Sequence, residues 1–153
     1  RQDAADRQSC VRGGPESVAG AINERGEGTD VQRFMLKSKL HRATVTDADL
    51  HYEGSITIDE GLMEAADFLP FEKVAIYDVS NGERFSTYVI RGKRDSGVIC
   101  LNGAAARKVS RGDLIIIASY VLVDDADAAK WSPRCVLLDD KNRIKKWPRK
   151  KRN

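Results

Sequence analysis

The segment HYEGS, residues 51–55, contains a Gly-Ser bond that can react with its own backbone. The Ser55 hydroxyl can attack the preceding peptide carbonyl if the backbone is held in a strained form, and the amide then becomes an ester. Gly54 permits such geometry. Elimination from the ester would free the upstream chain and leave dehydroalanine, which loses ammonia on hydrolysis to become a pyruvoyl group. Because an isolated Gly-Ser pair is far more often a solvent turn, this chemistry needs further support.

The run RFSTY, residues 84–88, brings a cation and a phenol into one predicted strand. Side chains two or four residues apart share a face of a strand, so Arg84 and Tyr88 can face one pocket. By the same rule Thr87 points to the opposite face, and its contribution would need a strand end, a bulge or a subunit boundary. Without further context, Arg84 and Lys39 would both be interpreted as surface charges.

Other polar and aromatic residues have a structural and a functional interpretation. The small-residue segment NGAAARK, residues 102–108, lets backbone approach a ligand closely, although a tight packing turn is the alternative. Tyr52 and Tyr77 can shape a pocket or pack in the core or at its rim. His41 and His51 lack metal-site spacing with acidic or cysteine partners, so no metal site is predicted. His41 and Tyr52 are kept as provisional site residues.

The elements that must position these residues are mostly short β-type runs bounded by Gly, Asn or Asp, which predicts a mainly β barrel or sandwich. QRFMLKSK and HRATVT predict two strands, and GVICL, LIIIASYV and RCVLL predict three more. KVAIYDV and RFSTYVI flank Asn81-Gly82, which predicts a hairpin with a two-residue turn. DEGLMEAADF predicts a helix that Asp59 caps and that ends near Pro70, and DDADAAKW predicts a helical turn.

The composition divides the chain of 153 residues into one core domain and two terminal segments. Residues 1–30 are rich in Gly, Ser and charged residues, which predicts a disordered extension. The domain is predicted over residues 31–140, long enough for one hydrophobic core. Residues 141–153 are predicted to be a basic, disordered tail.

The net charge of +3 is not spread as a nucleic-acid-binding surface would require. Residues 1–30 carry four arginines against six acidic residues, and residues 147–153 carry four basic residues, so the body is nearly neutral. No apolar run approaches the roughly 20 residues that cross a bilayer, and no secretory signal is recognised. Three cysteines without C-x-x-C spacing fit reduced thiols. We therefore expect a cytoplasmic protein that binds neither nucleic acid nor membrane.

Three longer segments resemble one known family. MLKSKLHRATVTDADLHYEGSITID, NGERFSTY and NGAAARKVSRGDLIIIASY occur in the order in which the pyruvoyl-dependent aspartate decarboxylases carry them. The resemblance runs from about residue 31 to about residue 139 and leaves out the leading thirty residues. It implies a small closed barrel of the double-psi type with one or two short helices, a homotetramer, and a product, β-alanine, that feeds pantothenate biosynthesis.

Carried over motif by motif, the resemblance implies a zymogen that cuts itself autocatalytically between Gly54 and Ser55. Ser55 would become a covalent pyruvoyl cofactor whose ketone forms a Schiff base with L-aspartate. Lys39 and Arg84 would bind the substrate carboxylates, for which a guanidinium is well suited. Tyr88 would donate the proton that follows loss of carbon dioxide.

The remaining implied substrate contacts are Thr87, which also assists self-cleavage, and the loop residues Asn102, Gly103, Ala104 and Ala105. The implied enzyme is a carboxy-lyase that converts L-aspartate to β-alanine and carbon dioxide. Two alternatives stay open: a binding domain on the same barrel without self-cleavage, and a decarboxylase of another amino acid, which the pair of cations disfavours. Assistance by a maturation factor is an alternative to spontaneous cleavage.

Overall fold

The computed structural model describes residues 31–146, which form nine β-strands, two short α-helices and a 3-10 helix. The strands are β1 (Gln32–Thr44), β2 (Asp47–Asp49), β3 (Ser55–Asp59), β4 (Lys73–Asp78), β5 (Arg84–Gly92), β6 (Ile99–Asn102), β7 (Leu114–Asp124), β8 (Arg134–Leu138) and β9 (Ile144–Lys145). The helices are α1 (Glu60–Ala66), the 3-10 helix (Gly103–Lys108) and α2 (Asp125–Ala128). The predicted mainly β architecture with short helices is confirmed.

The nine strands of the described residues join one sheet in the order β2-β6-β3-β5-β4-β7-β1-β8-β9. Strand pairing leaves β2 and β9 at its two ends, so the ladder itself is open. Backbone bonds outside the ladder tie the end of β1 to distant segments. The Val45 amide donates to the Asp113 carbonyl at 2.9 Å, and the Thr46 amide donates to the Ile99 carbonyl at 2.8 Å.

The runs QRFMLKSK and HRATVT form the single long strand β1, so the prediction of two strands is wrong. The register with β7 shifts between Leu36 and Ser38 and again between Leu40 and Ala43. Arg42, inside the second shift, has a φ of 62°. Extra residues of this kind bend a strand and increase its twist without ending it. The boundary predicted between two strands is therefore a bulge inside one strand.

Helix α1 begins where the sequence predicts. One carboxylate oxygen of Asp59 accepts a hydrogen bond from the Gly61 amide at 2.7 Å, which confirms the N-cap. The helix ends at Ala66, earlier than the predicted end near Pro70. Asp67 follows with a φ of 56°, a left-handed conformation that a short polar residue tolerates and that ends the helical hydrogen bonding.

Strands β4 and β5 form the predicted hairpin, but its turn is longer than two residues. The Asp78 side chain accepts hydrogen bonds from the Ser80 amide at 2.7 Å and the Asn81 amide at 3.2 Å. Gly82 has a φ of 83°, whereas Asn81 does not have a positive φ. A two-residue type I′ turn requires a positive φ at both positions, so the predicted turn type is wrong.

The hydrophobic core is built from the inward side chains of the strands and from helix α1. In β4, buried and partly exposed side chains alternate, as in a strand with one buried face. The largest side chains with no solvent exposure are Leu40, Ile56, Ile58, Ile76, Ile99, Leu101, Ile115 and Ile117. Between residues 31 and 146, no helix is both long and apolar enough to span a bilayer.

Strand β9 lies beyond the predicted end of the domain. Ile144 pairs with Leu138 of β8, so the sheet includes part of segment 141–153, which we predicted to be a disordered tail. Residues 147–153 and the predicted extension over residues 1–30 lie outside the described residues.

Candidate active site

Ser55 is the first residue of β3 and is fully buried. Its hydroxyl donates a hydrogen bond to the Glu53 carbonyl at 3.2 Å and accepts one from the Asn102 amide nitrogen at 2.9 Å. A serine in a solvent turn would have neither the burial nor the side-chain partner. The Gly54-Ser55 bond therefore lies at the edge of the core, with its serine oxygen in a defined position.

Asn102 lies directly opposite Ser55 in the antiparallel pair of β3 and β6. Its amide nitrogen also donates to the Thr57 hydroxyl at 2.9 Å, and its amide oxygen accepts from the Cys100 thiol at 3.3 Å. Neither Thr57 nor Cys100 was predicted from the sequence as a site residue. They could have been found from strand alternation. Thr57 lies two residues after Ser55 and Cys100 lies two residues before Asn102, and residues two apart on a strand share a face.

Gly103 makes the closest backbone approach in the site. It has a φ of 60°, and a Cβ atom there would lie 2.8 Å from Gly54 Cα and 2.9 Å from the Tyr52 carbonyl oxygen. Gly54 itself does not have a positive φ, and a Cβ atom built on it would meet only the Asn102 carbonyl oxygen, at 4.0 Å. The position that requires a glycine is thus Gly103, whereas only the permissive geometry of Gly54 was considered from the sequence.

The segment NGAAARK forms the end of β6 and the 3-10 helix. Ala104 is exposed, whereas Ala105 is partly buried and packs against the core. Small side chains suit a helix that begins next to the Gly54 backbone. The segment is thus a tight packing turn beside Ser55, and its role as a loop that contacts a ligand stays a prediction.

Strand β5 places Tyr88 beside Ser55. Strands β3 and β5 are parallel with Ile56 opposite Val89, and both of these side chains are fully buried. Since side chains alternate along a strand, Ser55 and Tyr88, one residue earlier on each strand, project together on the other face. Tyr88 is 36% exposed, and the Phe71 ring lies near its ring with a centroid separation of 6.4 Å.

Thr87 lies on the opposite face of β5 from Arg84 and Tyr88, by the same alternation. Its partner on β4 is the buried Val74. If the β3–β5 register is counted back two residues, Thr87 corresponds to Gly54, which immediately precedes β3. The start of β3 is thus a strand end at which Thr87 can approach the Gly54-Ser55 bond.

Arg84, at the start of β5, rests on an aromatic cluster. Its guanidinium carbon lies 4.8 Å from the centre of the Tyr77 ring, and the Tyr77 and Tyr120 hydroxyls share a 2.8 Å hydrogen bond. This bond, together with burial, raises the pKa of Tyr120, so its hydroxyl stays protonated. Phe34 stacks on Tyr120 with a centroid separation of 5.1 Å.

Lys39 shares the outer face of the sheet with Arg84. Lys39 lies opposite Ala118 of β7, which lies opposite Ala75 of β4. Ala75 is in turn opposite Ser86, two residues from Arg84. However, β1 is four strand positions from β3. At about 4.8 Å per strand, Lys39 is roughly 19 Å from the Ser55 strand along the sheet.

The provisional residues His41 and Tyr52 differ in environment. His41 Nδ1 is buried without a hydrogen-bond partner among residues 31–146. Burial, followed by the charges of Lys39 and Arg42, lowers the pKa of His41, so the imidazole is neutral at pH 7. Tyr52 is exposed, with 53% of its surface accessible. In the same part of the chain, no three His, Cys, Asp or Glu side chains are grouped to hold a metal ion.

Comparison with known proteins gives the same family that the motifs resemble. A family model described as aspartate decarboxylase matches residues 31–145. The chain is 76% identical over 115 residues to aspartate 1-decarboxylase of Syntrophus aciditrophicus, an alignment that covers 75% of this chain and 99% of that protein. It is 62% identical over 113 residues to the enzyme of Syntrophobacter fumaroxidans, covering 74% of this chain and 91% of that protein.

A third relative, aspartate 1-decarboxylase of Thermoanaerobacter pseudethanolicus, is 57% identical over 113 residues, covering 74% of this chain and 97% of that protein. The matched region contains Ser55, Tyr88 and Asn102, the residues that the fold brings to one place. On these grounds the chain belongs to the aspartate decarboxylase family.

Proposed function

We propose that this chain is an aspartate 1-decarboxylase, the activity that its relatives' names give, and that it cuts itself between Gly54 and Ser55. The observation that carries the proposal is the buried Ser55 hydroxyl, held by the Asn102 amide 2.9 Å away. The reaction converts L-aspartate to β-alanine and carbon dioxide, and the product feeds pantothenate biosynthesis.

Self-cleavage begins at the Ser55 oxygen. Its attack on the Gly54 carbonyl carbon forms a C–O bond and breaks the peptide C–N bond, and the released nitrogen takes up the hydroxyl proton. The Asn102 N–H holds the serine oxygen in place and stabilises the charge on it as its proton leaves, before that charge passes to the Gly54 carbonyl oxygen. Loss of the serine α-proton then expels Gly54 as a carboxylate, and hydrolysis of the remaining dehydroalanine releases ammonia.

The residues around Ser55 fit a pyruvoyl group, because that group is made from Ser55 and is smaller than the serine it replaces. The pyruvoyl group supplies the electron sink for the carbon–carbon bond that breaks. Tyr88, on the neighbouring strand and the same face, holds the proton that the product receives. Thr87 acts at the strand end beside Gly54, and Asn102 with the small residues 103–105 lines the substrate.

The two cations that match the substrate carboxylates come from more than one copy of the chain. Counted along the sheet, Lys39 lies four strands from β3, on the outer face. On the same face, Phe34 is 71% exposed and Leu122, directly opposite it, is 57% exposed. Exposed apolar side chains beside a functional cation favour contact with a second copy, within the homotetramer that we propose.

A complementation experiment tests this shared site. Lys39→Ala and Ser55→Ala are each expected to be inactive alone. Mixed oligomers from co-expression should recover activity if Lys39 of one subunit serves Ser55 of another. The matched control combines Ser55→Ala with Tyr88→Phe, since these two residues belong to adjacent strands of one chain and should not complement. No recovery in the Lys39 mixture would place both residues in one subunit's site.

The proposal includes the double-psi barrel and a cytoplasmic location, both of which rest on the family. The hydrogen bond from the Thr46 amide to the Ile99 carbonyl supports closure, because it joins the segment that follows β1 to β6, which lies near the other end of the strand order.

Intact mass spectrometry of the purified chain under denaturing conditions tests the function first. We expect two fragments split after Gly54. The downstream fragment should be lighter than a serine-started one by about 17 Da, the mass of lost ammonia. Ser55→Ala should stay whole and inactive. Cleavage of that variant would contradict the mechanism, and an uncut wild-type chain would point to a maturation factor or to a binding domain.

A further inference from the structure

Four polar side chains form a block on one face of β3 and β6. Ser55 lies opposite Asn102, and Thr57 lies opposite Cys100. Residues two apart on a strand share a face, so the four side chains meet. The hydrogen bonds confirm the contact, because all of them converge on Asn102.

The Asn102 amide has its orientation determined by these partners. An asparagine amide offers two N–H donors and one acceptor oxygen. One N–H bonds to Ser55 and the other to Thr57, each at 2.9 Å, while the oxygen accepts from Cys100 at 3.3 Å. If the amide were turned by 180°, its oxygen rather than its nitrogen would face Ser55.

We propose that Thr57 and Cys100 are positioning residues for self-cleavage, which hold the Asn102 nitrogen toward the Ser55 hydroxyl. The inference rests on the proposed function. Thr57 accepts the amide proton that Ser55 does not use, and the Cys100 thiol donates to the amide oxygen on the far side. Neither residue bonds to Ser55, so both act through Asn102.

The direction of the amide matters for the first chemical step. An N–H aimed at the Ser55 oxygen stabilises the negative charge that grows as the hydroxyl loses its proton. It also leaves the hydroxyl hydrogen directed at the Glu53 carbonyl. An amide oxygen in the same place would instead accept that hydrogen and oppose the developing charge.

Cys100 can perform this role only as a thiol. Burial, followed by the charge of Asp47, raises the pKa of Cys100, so the thiol keeps its proton at neutral pH. A thiolate would accept a hydrogen bond and attract the Asn102 nitrogen, which would turn the amide away from Ser55. Serine at position 100 keeps a donor, whereas alanine removes it.

The test follows the rate of self-cleavage of the purified full chain by intact mass at a fixed temperature. Thr57→Val keeps the shape and removes the hydroxyl, and cleavage should slow by roughly two- to tenfold, the effect of one neutral hydrogen bond. Thr57→Ser should restore the rate. Thr44→Val is the matched control, because the Thr44 hydroxyl is buried without a partner among residues 31–146, so cleavage should keep the wild-type rate.

The same cleavage assay tests Cys100, and it tests whether the effect of Thr57 requires the Asn102 amide. Cys100→Ala should slow cleavage, and Cys100→Ser should not. In an Asn102→Ala background, Thr57→Val should cause no further slowing, since its effect passes through the missing amide. A further loss of the same size in that background would mean that Thr57 supports the fold rather than Asn102.

A second readout does not depend on cleavage. In the Ser55→Ala chain, which lacks the attacking hydroxyl, Thr57→Val should speed solvent exchange of the Asn102 side-chain N–H protons measured by NMR. If the wild-type chain cuts itself and Thr57→Val cuts at the same rate, the inference is overturned. The proposed function then remains intact. A wild-type chain that stays whole counts against the proposed function, and the exchange measurement then decides the inference by itself.

Discussion

Gly103 lies against Gly54, the residue on the upstream side of the bond that we propose is cut. A Cβ atom at position 103 would be 2.8 Å from both Cα and N of Gly54. These are backbone atoms, so they cannot move aside as a flexible side chain would. Gly103 also has a φ of 60°, where a side chain is disfavoured.

Gly103→Ala should therefore slow self-cleavage by about tenfold or more and lower the free energy of unfolding by more than about 1 kcal/mol. Gly82→Ala is the control, because Gly82 has a φ of 83° with no atom within 4 Å of its Cβ position. It should lose about 1 kcal/mol from backbone strain alone and cleave normally. Mass spectrometry and urea unfolding measure both effects. Equal cleavage rates in the two variants would show that the contact has no role.

Tyr88→Phe keeps the ring beside Phe71 and removes the phenol. We expect a chain that cuts itself but decarboxylates L-aspartate with kcat lowered by about a hundredfold, the usual effect of losing a general acid. The cleaved wild-type protein, assayed under the same conditions, gives the reference kcat. Steady-state assays of the cleaved proteins with L-aspartate measure kcat for both. Full activity of Tyr88→Phe would exclude it as the proton donor.

Asp78 makes stability depend on pH in the direction opposite to most carboxyls. Burial raises the pKa of Asp78, and the nearby Asp113 carboxylate adds to the effect, against amide hydrogen bonds that lower it. A raised pKa means that the folded chain binds the proton more tightly than the unfolded chain. The stabilisation is complete below the ordinary aspartate pKa and is lost as pH rises through the folded pKa.

Asp78→Asn should remove this loss, because the amide oxygen can still accept the turn N–H groups and no proton is needed. Relative to wild type, the free energy of unfolding of Asp78→Asn should be higher at pH 7 than at pH 4.

Asp59→Asn should show the reverse, with a lower free energy of unfolding relative to wild type at pH 7 than at pH 4. Burial of Asp59 is outweighed by the Gly97 and Gly61 amides, which lower its pKa, so this carboxylate stabilises at neutral pH and the effect is lost in acid. Chemical unfolding at pH 4 and pH 7 measures both variants. If neither pKa were shifted, each variant would differ from wild type by the same free energy of unfolding at the two pH values.

The buried side chain of Asn142 hydrogen-bonds the segment before β9 to the backbone at Thr44 and Gly97. It is 4% exposed, accepts from the Thr44 amide at 2.7 Å, and donates to the Thr44 and Gly97 carbonyls at 2.8 Å each. Asn142→Ala should lower the free energy of unfolding by about 2 to 4 kcal/mol, since buried backbone groups lose their partners. Lys141→Ala, at an exposed position, should stay within about 0.5 kcal/mol of wild type. A matching small effect for Asn142→Ala would show that water replaces these bonds.

Local signals in the sequence predicted the elements whose formation depends on neighbours in the chain. The Asp59 cap and the β4–β5 hairpin are of this kind, because their hydrogen bonds join residues close in sequence. The predictions of a two-residue turn at Asn81 and of two strands in place of β1 were wrong for a common reason. A side chain such as Asp78, or pairing with β7, selected a conformation that the local pattern alone did not favour.

For the site, the residue types and motifs by themselves determined the family and the candidates, namely the Gly54-Ser55 bond that we propose is cut and the phenol of Tyr88, since these depend on side-chain chemistry in a recognisable order. Only the tertiary structure decided that Ser55 is buried against Asn102, that Gly103 is the glycine that must lack a Cβ, and that Lys39 lies strands away from β3. The physical reason is that these are consequences of strand register. A shift of one residue would turn every side chain of a strand to its other face, and register is set by packing between segments far apart in the chain.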